Sequence, residues 1–291
     1  MKKRIGKMLV LILPALLIFV FVECAAGAGR GQGYGQGQQA PPKAPAQPGQ
    51  AATAPAEPPA PPVNAEEEAA YKAFYEAKPT EIQSQIQLGE EFLKKFPESR
   101  YREGIYSRLT GVYLTAGQED KMFAAGEKAL ELNANNVDVL SLMAMVLSRR
   151  ATPGALDADQ KLQKSERYST QAINLLTTIQ KPEALSEEDF TRAKNDKLSM
   201  CHSGLGFVHF HRQKFADSAT ALEQATKLAS APDVADFFVL GLAYHNTQRH
   251  ADAVTVFERC AEAAGPLQER CKQGLEQAKK LAGTQLTRPK P

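Results

Sequence analysis

The chain has 291 residues, no tryptophan, only four cysteines and only 7% aromatic residues. Four cysteines are too few for a scaffold built on disulfides. Charge of one sign is not in excess either: 35 Lys and Arg stand against 33 Asp and Glu, for a formal net charge of +2. There is also no block of five or more like charges, so the basic footprint of sequence-independent nucleic-acid binding is missing. No Gly-rich phosphate loop follows a strand, no Ser sits in a nucleophile elbow, and neither HExxH nor CxxC occurs. No catalytic residues, no metal and no cofactor are therefore expected, and the chain does not read as an enzyme.

What is present begins with an export signal. Lys2, Lys3, Arg4 and Lys7 precede an apolar run from Met8 to Val22, and the small residues Ala25, Ala26, Gly27 and Ala28 follow. This is the charged, apolar, small-residue order of a secretory signal. The run of about 15 residues, interrupted by Pro14, is short of the roughly 20 that span a bilayer. Ala26-Gly27-Ala28 fits a cleavage site that leaves Gly29 first, so residues 1-28 are read as a signal peptide. Extending the run back to Ile5 gives about 18 residues and keeps an uncleaved membrane anchor as the alternative. Cys24 follows Phe21, Val22 and the charged Glu23, which does not resemble a bacterial lipoprotein signal. Loss of residues 1-28 removes four basic residues and one acidic one, leaving a net charge of −1.

Residues 29-63 read as a disordered linker. Gly29 to Gln39 is Gly/Gln with Tyr34, and Ala40 to Val63 is Ala/Pro with nine prolines. Neither part offers the apolar bulk needed to offset the entropy of ordering it. In the polyproline II conformation the second part would reach roughly 75 Å.

From residue 64 the composition turns to Ala, Leu, Glu, Lys and Gln, without strand-like alternation. Prolines fall at Pro79, Pro97, Pro153, Pro182, Pro232 and Pro266, spacings that mark helix boundaries. The sequence also repeats itself. Leu205-Gly206-Phe207-Val208-His209 matches Leu240-Gly241-Leu242-Ala243-Tyr244, 35 residues later, and Leu109-Thr110-Gly111-Val112-Tyr113 has the same shape.

This pattern resembles the tetratricopeptide repeat (TPR), a 34-residue pair of helices. Residues 234-267 match best, with Phe237, Leu240, Gly241, Tyr244, Ala253 and Phe257 at the family's positions, Cys260 in place of its Ala, and Pro266 displaced. Residues 199-232 follow through Leu205, Gly206, Ser218, Leu222 and Ala225, with His209 where a ring is usual. Residues 103-136 keep Leu109, Tyr113, Gly117 and Ala129. A degenerate unit begins at Val137 with Met143, Ala144 and Leu147. Its second helix, Ser165 to Thr177, is displaced by an insertion of about nine residues around Pro153-Gly154. Glu66 to Ala77 and Thr80 to Phe96 look like a divergent first unit, and Gly265 to Leu281 like a capping helix. The resemblance spans about three quarters of the chain. It implies an all-α, right-handed superhelical solenoid of antiparallel helix pairs over residues 64-282, with a flexible tail at 283-291.

In such a solenoid neighbouring hairpins bury a shared core and the first helix of each lines a concave face. Gly241 and Ala253 would let paired helices approach. The acidic runs Glu66-Glu67-Glu68 and Glu187-Glu188-Asp189 read as solvated helix starts. On the concave face the register places Ser203, Phe207, Phe210 and His211, then Phe238, Leu242, His245 and Asn246, and earlier Asp138, Ser141, Met145 and Arg149. The three phenylalanines are expected to be exposed there, as an interaction patch. An extended or helical peptide would dock on them, with His211, His245, Asn246 and Arg149 as polar contacts. His202, His209 and His211 lack the i, i+3 or i+4 spacing of ligands on one helix face. Cys260 and Cys271 lie on neighbouring antiparallel elements and can form a disulfide in an oxidising compartment. Otherwise they pack, with Cys201, as small hydrophobes.

The function read from these features is an exported scaffold or adaptor, periplasmic or extracellular, making protein-protein interactions with a protein or peptide partner. Nucleic acid is not a partner, and a membrane is one only if the N-terminal segment is uncleaved. The oligomeric state stays open. The alternative is a structural component of bacterial envelope assembly, anchored in the inner membrane and facing the periplasm. Phe92-Leu93-Lys94-Lys95-Phe96-Pro97-Glu98-Ser99 followed by Tyr101 is similar to hairpins of outer-membrane assembly and cell-division-coordinator repeat proteins.

Overall fold

The computed structural model describes residues 64–286. The expected signal peptide, linker and last five residues lie outside them. Among the described residues the secondary structure is helical throughout: α1 (Ala65–Glu76), α2 (Ile82–Lys95), α3 (Arg102–Thr115), α4 (Glu119–Leu132), α5 (Val137–Arg149), α6 (Ala158–Thr178), α7 (Glu187–His211), α8 (Phe215–Leu228), α9 (Val234–Asn246), α10 (His250–Glu262) and α11 (Gln268–Leu286). Helices pack against their sequence neighbours, giving five hairpins and a terminal α11 on α10. This is the all-α solenoid stacking expected from the repeats.

Local chemistry sets the boundaries. The side chain of Asn64 accepts from the N–H groups of Glu66 and Glu67, Asn136 from Val139, Ser186 from Asp189 and Asp233 from Ala235, each satisfying donors that a helix start leaves unpaired. Three hairpin turns share one device. Gly117, Gln213 and Gln248 have φ of 69°, 59° and 60°. In each turn the next N–H bonds back across it, from Gln118 to Tyr113, Lys214 to His209 and Arg249 to Tyr244. The left-handed residue reverses the chain between paired helices.

Side-chain bonds also carry the repeat period. Tyr101 donates to Glu68, Asn136 to Glu103 and Ser203 to Asp236, each 33 residues apart. A residue thus meets its counterpart in the next unit. The acidic start of α1 is not merely solvated: Glu66 pairs with Lys95, Glu67 accepts from Ser99 and Glu68 from Arg100. These bonds tie α1 to the end of α2 and to the chain between α2 and α3.

The degenerate middle unit departs from expectation in length. α6 begins at Ala158, before the expected Ser165, and α7 runs 25 residues from Glu187. That is about 37 Å, nearly twice the length of α5. The capping helix likewise continues to Leu286, past the expected boundary at residue 282. Small residues let α5 and α7 approach closely. A Cβ added at Gly204 would stand 3.1 Å from the Ala144 backbone, and Cys201 donates to the Ser141 hydroxyl at 3.4 Å; Ser165 of α6 donates to the same Ala144 carbonyl at 2.7 Å. One core cluster runs from Phe74 to Cys201, another from Ala219 to Ala278, and partly buried Phe207 and Phe210 of α7 pack on the latter.

Candidate functional site: the inner face of α5, α7 and α9

Equivalent positions of α7 and α9 bring the expected residues side by side. Phe207 stands where α9 has Leu242, and Phe210 where it has His245. The rings are not exposed as the sequence led us to expect: Phe207, Phe210, Phe238, Leu242, His211 and His245 are all half-buried, and Asn246 alone of this group is exposed. The covering is specific. Phe210 meets Phe215 edge to face at 5.4 Å, and Phe238 meets Phe257 in the same way at 6.2 Å. Phe207 lies under the Arg149 guanidinium, 5.2 Å from the ring centroid.

Two expected surface serines are closed off. Ser141 and Ser203 are fully buried, because small side chains at these positions allow the first helices of successive units to touch. Asp138 does not face an open groove either, since it pairs with Lys197 of α7 at 2.9 Å. Met145 is half-buried against the first core cluster.

Arg149 is the largest correction. We expected a free cation offering a polar contact, but its guanidinium is spent inside the molecule. One nitrogen donates to Asp233 Oδ2 at 2.6 Å, and the other to Ser203 Oγ at 3.0 Å and Asp236 Oδ1 at 2.9 Å. Ser203 Oγ donates to the same Asp236 oxygen at 2.6 Å. Burial raises the carboxyl of Asp236, and Arg149 and Ser203 offset this only in part. Burial also pushes Asp233 upward, but there Arg149 and the Ala235 N–H prevail and the carboxyl lies below its ordinary value. Asp233 and Asp236 were missed in the sequence. Pro232-Asp233 announces a helix start, yet nothing local points to a partner 84 residues away.

The histidines are mostly covered. Burial lowers His202, His209, His211 and His245 from the ordinary imidazole value. For His211 a bond with the Ser148 backbone works the other way, and for His245 the His250 ring, 5.3 Å off, adds to the lowering. Neutral rings of this kind contribute shape and single hydrogen bonds rather than charge. Among the described residues no group of three or more His, Cys, Asp or Glu is placed to hold a metal ion. Nor is any described helix long and apolar enough to cross a membrane.

Cys260 and Cys271 form a disulfide that joins α10 to α11, with Cα atoms 5.5 Å apart. Cys201 is free and buried, and burial pushes its thiol up to about 11 against a weaker pull from Ser141. A thiol so suppressed is a packing group, not a nucleophile.

No protein-family model and no curated protein matches the sequence. Solved structures do show likeness. A thermophilic TPR protein of Thermus thermophilus is 13% identical, with a TM-score of 0.46 over 74% of this chain and 99% of that one. Yeast Tom70 is 16% identical, with a TM-score of 0.43 over 77% of this chain and 41% of its own. A tetratricopeptide repeat protein of Parabacteroides merdae is 12% identical, with a TM-score of 0.35 over 73% of this chain and 98% of that one.

Proposed function

We propose that this chain is an exported adaptor that holds a protein or peptide partner on the inner face of α7 and α9. The observation that carries the reading is the row of half-buried apolar side chains on two adjacent first helices, Phe207 and Phe210 on α7 and Phe238 and Leu242 on α9, with Asn246 exposed at its edge. Apolar surface left partly wet after folding gains free energy when a second chain covers it. Rings anchored on their own core, as Phe238 is on Phe257, are already ordered and lose little entropy on binding. Export is supported by the Cys260–Cys271 bond, since disulfides persist in oxidising compartments.

A display library of peptides, screened against the wild-type chain, tests the site. Peptides selected by the wild type should lose at least about tenfold in affinity for a Leu242→Ser or Phe238→Ala variant that still melts cooperatively. Equal binding to wild type and both variants would remove the inner face as the site.

A further inference from the structure

We infer that Arg149 is a strap across the inner face, covering the Phe207 ring by gripping α9, so that releasing the grip uncovers the ring. Arg149 is the last residue of α5, and Asp233 and Asp236 sit at the N-cap and in the first turn of α9. A cation at a helix C-terminus and carboxylates at a helix N-terminus are each favoured by the helix dipole, so both ends of the strap are electrostatically prepared. Both terminal nitrogens of the fork are engaged: they bind two carboxylates and one hydroxyl, with the Phe207 ring below the guanidinium.

Two features distinguish a strap from ordinary packing. First, no Cα atom of α5 lies within 8 Å of one in α9, so Arg149 reaches across a gap that the two backbones do not close, while α7 packs directly on both helices. The stack therefore does not depend on the strap for its continuity. Second, the anchors differ. Asp236 is almost sealed, but the Asp233 side chain is 44% exposed and can exchange its bond for water. The guanidinium Nε has no hydrogen-bond partner, so a stem that swings out breaks no bond there.

This rests on the inner-face reading for its purpose, but the test needs no partner. Hydroxyl-radical footprinting of the full chain, read by mass spectrometry, reports the exposure of each ring. In an Arg149→Ala variant that also carries Asp236→Asn, so that no unpaired carboxylate is left buried, oxidation of Phe207 should rise severalfold. Phe210, packed on Phe215, and Phe74, in the first core cluster, should stay at their wild-type rates. Asp233→Asn, which loosens only the exposed anchor, should give a smaller rise confined to the same ring. An unchanged Phe207 in both variants would show that Arg149 does not cover it. A rise that includes Phe74 would reduce the network to a tie that holds the fold, and the strap would be overturned.

Discussion

The ring of Phe257 occupies the space that a side chain at Gly274 would need: a Cβ added there would stand 2.7 Å from two ring carbons. Gly241 approaches the same ring, with an added Cβ 2.6 to 2.8 Å from three of its carbons. Phe257 of α10 is thus held between the bare backbones of α9 and α11. Gly274→Ala and Gly241→Ala should each cost about 1–3 kcal/mol by overpacking. Gly111, in the interior of α3, has nothing within 4 Å of an added Cβ. There the same change should gain about 0.5–1 kcal/mol, because alanine loses less chain entropy in a helix. Urea midpoints of the three variants would show opposite signs.

Gln213 holds φ of 59° in the turn between α7 and α8, a conformation that strains a residue with a Cβ. Gln213→Gly should relieve that strain for a net gain of up to about 1 kcal/mol after glycine's greater entropy loss. Gly117→Ala, at the matching turn with φ of 69°, should lose a similar amount. Thermal melts compared side by side would check both.

The bond between Cys260 and Cys271 closes a short loop, 11 residues apart. Constraint of the unfolded chain by a loop of this size is worth about 3 kcal/mol, so reduction or Cys260→Ser should lower stability by roughly that amount. The loss should show first as faster hydrogen exchange in α11, which the bond staples to α10. A mass increase of about two protons on reduction identifies the bond itself.

Acid should weaken one half of the molecule. His202, His209, His211 and His245 have folded-state values lowered from 6.5 by burial, so in this window the unfolded chain binds more protons. Stability then falls as pH drops below about 6.5 and levels off once the folded-state values are passed. Around His209 the carboxylates of Asp217 and Glu166 oppose the shift, while Lys214 and Arg212 reinforce it. All four histidines lie on α7 and α9. Hydrogen-exchange protection, corrected for the intrinsic pH dependence of amide exchange, should therefore differ between about pH 5 and about pH 7.5 in α7 to α10 and stay alike in α1 to α4. A uniform change along the chain would count against the histidines as its cause.

Much of the architecture could be read without coordinates. Leu-Gly pairs 35 residues apart, followed by His209 and Tyr244 one turn on, state the repeat directly, because a hairpin that cannot bury its own stripe must match its neighbour. The disulfide could be foreseen only as one of two fates for Cys260 and Cys271. The acidic run Glu187-Glu188-Asp189 announced a helix start, but the length of α7 was hidden: the residues from Phe190 to Leu198 lie before the repeat motif and carry charges that the motif does not use, so nothing in them shows that one helix runs unbroken into the motif.

The inner face was less legible than the fold. Helical period placed Phe207, Phe210 and Phe238 on the inner side, but it cannot say how far each ring leans onto Phe215, Phe257 or Arg149. By itself the sequence determined the helix pairs, their capping and their spacing, since these follow from nearest-neighbour propensity and periodicity. Only the tertiary structure decided that Arg149 meets Asp233 and Asp236 across α7. That contact joins residues more than 80 apart, and it depends on the curvature of the stack, which sums small rotations at every interface and is written in no single segment.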